Sequence, residues 1–177
     1  MVMICGAVPT TRSVLLKNEC SERFMNVYPG HKRVVTAIED DPDSRYANFT
    51  IRTLNSKLEI EIYSPATKKY LCFNHRWKLI ATRNKANRHC RFKHDIVING
   101  YDKYVSADDK HMYIGFNERG KPLNANITMV LERNQNFSIK QRKRFKQKRK
   151  CFLFTKIDKS VNVNKHNENL NQHNRPL

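Results

Sequence analysis

Apolar and polar residues alternate strictly in several short runs of the first two thirds of this chain. In KLEIEIY (57–63), Leu58, Ile60 and Ile62 fall on one face, and in NFTIRTL (48–54) Phe49, Ile51 and Thr53 do the same. A period of two marks a strand with one buried face. DIVING (95–100) is apolar and β-branched, and HMYIGF (111–116) is aromatic. Turn signals separate these runs: Pro29-Gly30, Asp41-Pro42-Asp43, Ser64-Pro65, Asn99-Gly100 and Arg119-Gly120. No segment before residue 139 sustains a 3.6-residue period, so the pattern predicts an all-β protein.

A ten-residue pattern also repeats. YLCFNHRWKL opens at Tyr70 and YIGFNERGKP at Tyr113, 43 residues later, with Tyr, Phe, Asn, Arg and Lys in the same slots. A fainter copy, FMNVYPGHKRV, opens at Phe24, 46 residues before Tyr70. Related units at a near-constant period indicate a repeat architecture. Three units of about 43 residues, each with several short strands, predict a β-trefoil, a closed six-stranded barrel capped by three hairpins. The recurring Tyr/Phe and Leu/Ile/Met slots are then core layers. An open sandwich, the competing all-β layout, predicts no three-fold repeat.

Charge changes the picture at the C-terminal end. The 177-residue chain carries 34 Lys and Arg against 16 acids, a net +18, and +10 of it falls in residues 140–177. This divides the chain into residues 1–9, a short signal or frayed N-terminus; 10–139, the trefoil; and 140–177, an extension that is basic, then Asn-rich and expected to be disordered. CFLF (151–154) is awkward in such an extension and is expected to fold back as a strand or a helix. Strong positive charge points to a polyanionic partner, whether nucleic acid, anionic lipid or sulfated polysaccharide. Nothing approaches the roughly 18 apolar residues of a membrane span.

The seven His include no HExxH, no Gly-rich phosphate loop occurs, and the cysteines form no zinc pattern, so neither an enzyme nor a metal or cofactor site is expected. Cys5, Cys20, Cys72, Cys90 and Cys151 read equally as buried thiols in a reducing compartment or as disulfide partners in an oxidising one.

YLCFN, KLIA, Cys90-Arg-Phe92, Asn99-Gly-Tyr101 and MYIGFNERGKP together resemble the fibroblast growth factor family, over roughly residues 15–139 and most densely at 68–122. The resemblance implies a β-trefoil that binds a receptor tyrosine kinase, with heparan sulfate as co-receptor. It also implies a disulfide between Cys72 and Cys90, a receptor-facing set of His94, Asn99, Tyr101, Phe137 and Ile139, and Lys121 in a heparin-binding loop. This chain departs from the family where a receptor-facing Glu is His94 and a Trp is Met112. After Pro122 the expected Arg, Lys and Gly give way to Leu123, Asn124, Ala125 and Asn126.

That loss of cations is matched by a gain downstream. Lys140, Arg142, Lys143, Arg144, Lys146, Lys148, Arg149 and Lys150 lie within eleven residues, a density suited to sulfate groups. Only Phe145 is interleaved among them, which disfavours base stacking and hence a nucleic-acid partner. The run also reads as a nuclear-import signal. Sequons at Asn48, Asn126 and Asn136 are candidate glycosylation sites. Cys20 and Cys151 are left as a bridge between adjacent termini or as two free thiols. The expected function is a secreted, heparan-sulfate-dependent growth factor. The alternatives are an intracellular binding module, in the cytoplasm or nucleus, that does not work through the receptor, and a basic nucleic-acid-binding protein.

Overall fold

The computed structural model describes residues 10–30, 34–86, 88–97, 99–124 and 148–159. Ten strands run through them: β1 (Thr11–Asn18), β2 (Phe24–Asn26), β3 (Thr36–Glu39), β4 (Phe49–Thr53), β5 (Glu59–Ser64), β6 (Lys69–Phe73), β7 (Leu79–Thr82), β8 (Phe92–Ile96), β9 (Asp102–Ser106) and β10 (Phe154–Asp158). Antiparallel pairing joins β1 to β4, β4 to β5, β5 to β8, β8 to β9, β9 to β10 and β10 back to β1. Six strands thus close a ring without a free edge. Hairpins β2–β3 and β6–β7 lie outside the ring, and the isolated bridge Phe116↔Pro122 stands for a third. This is the β-trefoil that the repeat predicts.

The repeated segments open the three hairpins, and their slots have distinct physical roles. Met25, Leu71 and Ile114 share the second slot, Val27, Phe73 and Phe116 the fourth, and all six are at most 1% exposed. Burying each contributes roughly 1.5–3 kcal/mol. The first slot (Phe24, Tyr70 and Tyr113) is only half-buried, so the core layers are two slots rather than three. The recurring Asn builds a turn. Asn74 Oδ1 accepts from the backbone N–H of Arg76 (2.9 Å) and Lys78 (3.0 Å), and Asn117 Oδ1 accepts from Arg119 and Lys121 (both 3.0 Å). In each turn the residue three places on is left-handed: Trp77 at φ 55° and Gly120 at φ 70°. Asn55 repeats the device before β5, with Leu58 at φ 58°.

That last turn corrects the reading of KLEIEIY. Leu58 is 70% exposed, because it closes the Asn55 turn instead of entering the strand. The opposite face of β5 is buried as well. Glu61 lies between Arg52 and Lys85, while Glu59 is held by Arg91 at 3.1 Å and Asn55 at 3.0 Å. Alternation therefore marks two covered faces here, one apolar and one neutralised by ion pairs.

The expected end of the domain at Ile139 is corrected too. Residues 148–159 return to the barrel, and β10 takes the place beside β1. The reason is the apolar CFLF segment. Phe154 is fully buried, 5.7 Å from the Tyr104 ring and 6.2 Å from that of Phe116. Phe152 lies over Gly115, where a Cβ would meet its ring at 2.4 Å. Residues 1–9 and 160–177 lie outside the described residues.

Candidate binding surfaces

The β8–β9 hairpin carries three of the five receptor-facing candidates. Its tip is set by Gly100, which donates to the Val97 carbonyl (2.9 Å) at φ 78°, while Val97 N–H donates to Tyr101 O (2.9 Å). A left-handed residue there suits Gly and gives a three-residue turn with a bulge. Asn99 is exposed at this tip, and Tyr101 follows half-buried. His94 sits lower on β8, opposite Tyr104 in register, with the two rings stacked at 5.3 Å. Its Nε2 meets the buried carboxylate of Asp102 on the neighbouring strand. The position that holds a family carboxylate is thus occupied by a partner for an internal one. Phe137 and Ile139 lie outside the described residues.

Four of the nine candidate polyanion residues, Lys121, Lys148, Arg149 and Lys150, lie near one hydrogen-bonded junction. Phe116 N–H donates to Cys151 O (2.9 Å), Phe116 bridges to Pro122, and Leu123 N–H donates to Gly115 O (2.9 Å). Lys121 adjoins Pro122, and Lys150 adjoins Cys151, so the two lie on chain segments held to the same pair of residues. Lys121, Lys148, Arg149 and Lys150 are all exposed. Lys140, Arg142, Lys143, Arg144 and Lys146 lie outside the described residues. The stretch 125–147 joins two anchored ends, so the basic run precedes the last barrel strand rather than trailing from the domain.

Both cysteine pairs are joined. Cys72–Cys90 links β6 to the start of β8, and Cys20–Cys151 links the β1–β2 turn to the segment entering β10, across 131 residues. The second bridge is reinforced by Asn18, whose Nδ2 donates to Cys151 O at 2.9 Å and Leu153 O at 3.3 Å. No local spacing in the sequence distinguishes this bridge from two free thiols. Its only signal is that trefoil termini converge. Of the sequons, Asn48 is half-buried and its Oδ1 accepts from Ser13 at 2.7 Å. Asn126 and Asn136 lie outside the described residues. Among the described residues no group of three His, Cys, Asp or Glu is arranged to hold a metal ion. No described helix is long and apolar enough to cross a membrane.

A feature of the barrel escapes the sequence altogether. Its open mouth is a pocket of about 310 Å³ to which all six barrel strands contribute: Thr10, Arg12 and Val14 from β1 and its entry, Ile51 and Thr53 from β4, Ile60 from β5, His94 and Ile96 from β8, Tyr104 from β9 and Lys156 from β10. Period-two patterns give one face of each strand but not which faces meet.

Comparison with known proteins gives a consistent relationship. The family model for fibroblast growth factors matches residues 14–138. Human fibroblast growth factor 18 is 26% identical over 127 residues, covering 72% of this chain and 61% of that protein. Fibroblast growth factor 17 of Danio rerio is 30% identical over 133 residues, covering 69% of this chain and 61% of its own. Fibroblast growth factor 8b of Danio rerio is 28% identical over 127 residues. The chain spans about three fifths of the length of the first two of these relatives.

Proposed function

The chain belongs to the fibroblast growth factor family, and from that premise we propose that it is a secreted ligand which activates a fibroblast growth factor receptor tyrosine kinase with heparan sulfate as co-receptor. The observation that carries the reading is the β8–β9 hairpin, which presents Asn99 exposed beside Tyr101 at the positions implied by the family pattern. A Tyr there offers a stiff apolar plate with one polar end, a frequent anchor in protein interfaces. Phe137 and Ile139 complete the proposed receptor-facing set. His94 brings a specificity of its own. It is engaged with Asp102 and offers the receptor no carboxylate.

Heparan sulfate is proposed to bind Lys121 together with Lys140, Arg142, Lys143, Arg144, Lys146, Lys148, Arg149 and Lys150. The cations absent after Pro122 are supplied by this run, whose end is tied to the same junction. Glycan concentrates the ligand beside the receptor and thereby raises effective concentration. Two disulfides favour an oxidising compartment, and so secretion over the intracellular alternative. Asn48, Asn126 and Asn136 are proposed glycan acceptors.

Conditioned medium from cells expressing the chain, applied to receptor-bearing cells with and without heparinase, tests the whole reading. Receptor tyrosine phosphorylation that heparinase removes is expected. Protein confined to the cell pellet, with no phosphorylation, would favour the intracellular module. Abundant protein in the medium without phosphorylation would point to another receptor, with His94 the first residue to examine.

A further inference from the structure

The pocket at the barrel mouth has a chemistry that the growth-factor reading does not use. Part of its wall is apolar, formed by Val14, Ile51, Ile60, Ile96 and the Tyr104 ring, and Thr10, Thr53 and His94 complete it beside two cations. At about 310 Å³ it lies at the lower end of small-molecule sites, with room for roughly ten heavy atoms at the liquid volume of a water each.

Two observations indicate what would fill it. Arg12 and Lys156 both line the pocket, and neither forms an ion pair among the described residues. Ile96, at the rim, is 72% exposed, a large apolar side chain held in water at the entrance. The acids facing the same end are Asp102, which His94 engages, and the exposed Asp158, two residues from Lys156 on the same face of β10. The charge lining the pocket itself is therefore positive.

From this combination we infer that the barrel mouth binds a small amphipathic monoanion, an acyl or alkyl chain of about ten heavy atoms bearing a carboxylate or sulfate head. The chain lies against Ile51, Ile60 and Ile96. The head is held by Arg12 and Lys156, because a charge-assisted contact in a partly desolvated site is about twice as strong as a neutral one. Fatty carboxylates and alkyl sulfates share this chemistry.

Calorimetric titration of the full chain with decanoate, decyl sulfate, decanol and decyltrimethylammonium tests the assignment. Decanoate or decyl sulfate is expected to bind at least about tenfold more tightly than decanol, and the cationic amphiphile more weakly still. The Arg12→Ala/Lys156→Ala double variant should abolish the preference for the anion over decanol. Ile96→Glu should weaken both anions by a similar factor through lost apolar contact and added repulsion. Arg12 and Ile96 are exposed and Lys156 is half-buried, so the fold should survive, and unchanged thermal unfolding checks this. Absence of anion binding at millimolar concentration, equal affinity for decanol, or an unchanged double variant would overturn the proposal. Loss of receptor binding in Ile96→Glu without any amphiphile binding would likewise overturn it, assigning the mouth to a protein partner. Receptor activation enters none of the other readouts, so failure of the growth-factor reading leaves them unaffected.

Discussion

Replacing both Cys20 and Cys151 by Ser removes a link that spans 131 residues. In the chain-entropy account, freeing a loop of that length restores about 5 kcal/mol of conformational freedom to the unfolded chain, against about 3 kcal/mol for the 18-residue separation of Cys72 and Cys90. A domain of this size has a total stability on the order of 5–15 kcal/mol, so the double variant should sit near the edge of folding. Urea unfolding, followed by circular dichroism and by the single tryptophan, Trp77, measures the difference. At a slope of roughly 2 kcal/mol/M the midpoint should fall by more than about 2 M. A second effect follows from position. Cys151 adjoins Lys148, Arg149 and Lys150, and its carbonyl receives Phe116 N–H at 2.9 Å, so unlinking it loosens the anchored end of the basic run. Under conditions where the variant remains folded, it should elute from heparin at lower salt. A loss of stability under about 1 kcal/mol, or one smaller than that of Cys72→Ser/Cys90→Ser, would refute the argument from loop length.

Gly115→Ala should destabilise by about 1–3 kcal/mol, because the added Cβ meets the Phe152 ring at 2.4 Å and the Cys151 carbonyl at 2.9 Å, and thermal unfolding reads this directly. For Glu61, burial alone would raise the carboxyl, but hydrogen bonds from Lys85 and Arg52 outweigh it and hold the group below its usual range. A lowered folded value means that its contribution is present in full above the ordinary carboxylate range and is lost as pH falls through the lowered value. The Glu61→Gln variant should therefore be less stable than wild type near neutral pH and converge with it in acid; parallel acid-denaturation curves would contradict this. His94→Glu, which restores the family's carboxylate, should cost about 1–3 kcal/mol by setting a second acid against the 7%-exposed Asp102. The pair His94→Glu/Asp102→Asn should recover most of that loss, and a double-mutant cycle without coupling would show that the two side chains do not interact.

Much of the barrel could be read from the chain because its constraints are local. The slots of Met25, Leu71 and Ile114 recur at fixed spacing since each faces the same interior. The Asn of Asn74 and Asn117 recurs for a different reason, the closing of a turn, which a hydrophobicity pattern does not register. Leu58 departs from its alternation on the same grounds: a period of two gives the face but not the residue at which a turn hands over to a strand. The CFLF segment is legible as a piece that folds back, but the dense charge of residues 140–150 before it puts the apparent domain boundary at Ile139, and only the pairing of β10 with β1 makes that segment part of the barrel. Of the candidate site, the hairpin tip was legible through Asn99-Gly100. The His94–Asp102 pair and the barrel mouth depend on register between strands, which no single segment encodes.

The two proposed surfaces occupy parts of the trefoil that its repeat constrains least. The β8–β9 tip needs only Gly100 at a left-handed position, leaving Asn99 and Tyr101 without a structural duty that would fix their identity. The connection from Asn124 to Lys148 is bounded by hydrogen bonds at Gly115 and Phe116. Each doubling of a flexible connection costs only about 0.6 kcal/mol, whereas the Cys20–Cys151 bridge at its far end supplies about 5 kcal/mol. On the proposed reading, the cations missing after Pro122 are supplied across this connection, outside the slots that build the core. The described end of the basic run, Lys148, Arg149 and Lys150, is held at the barrel by the turn that enters Cys151 and β10. A free tail of the same charge would spread over tens of ångströms, roughly 5–6 Å times the square root of its length, and dilute its cations accordingly.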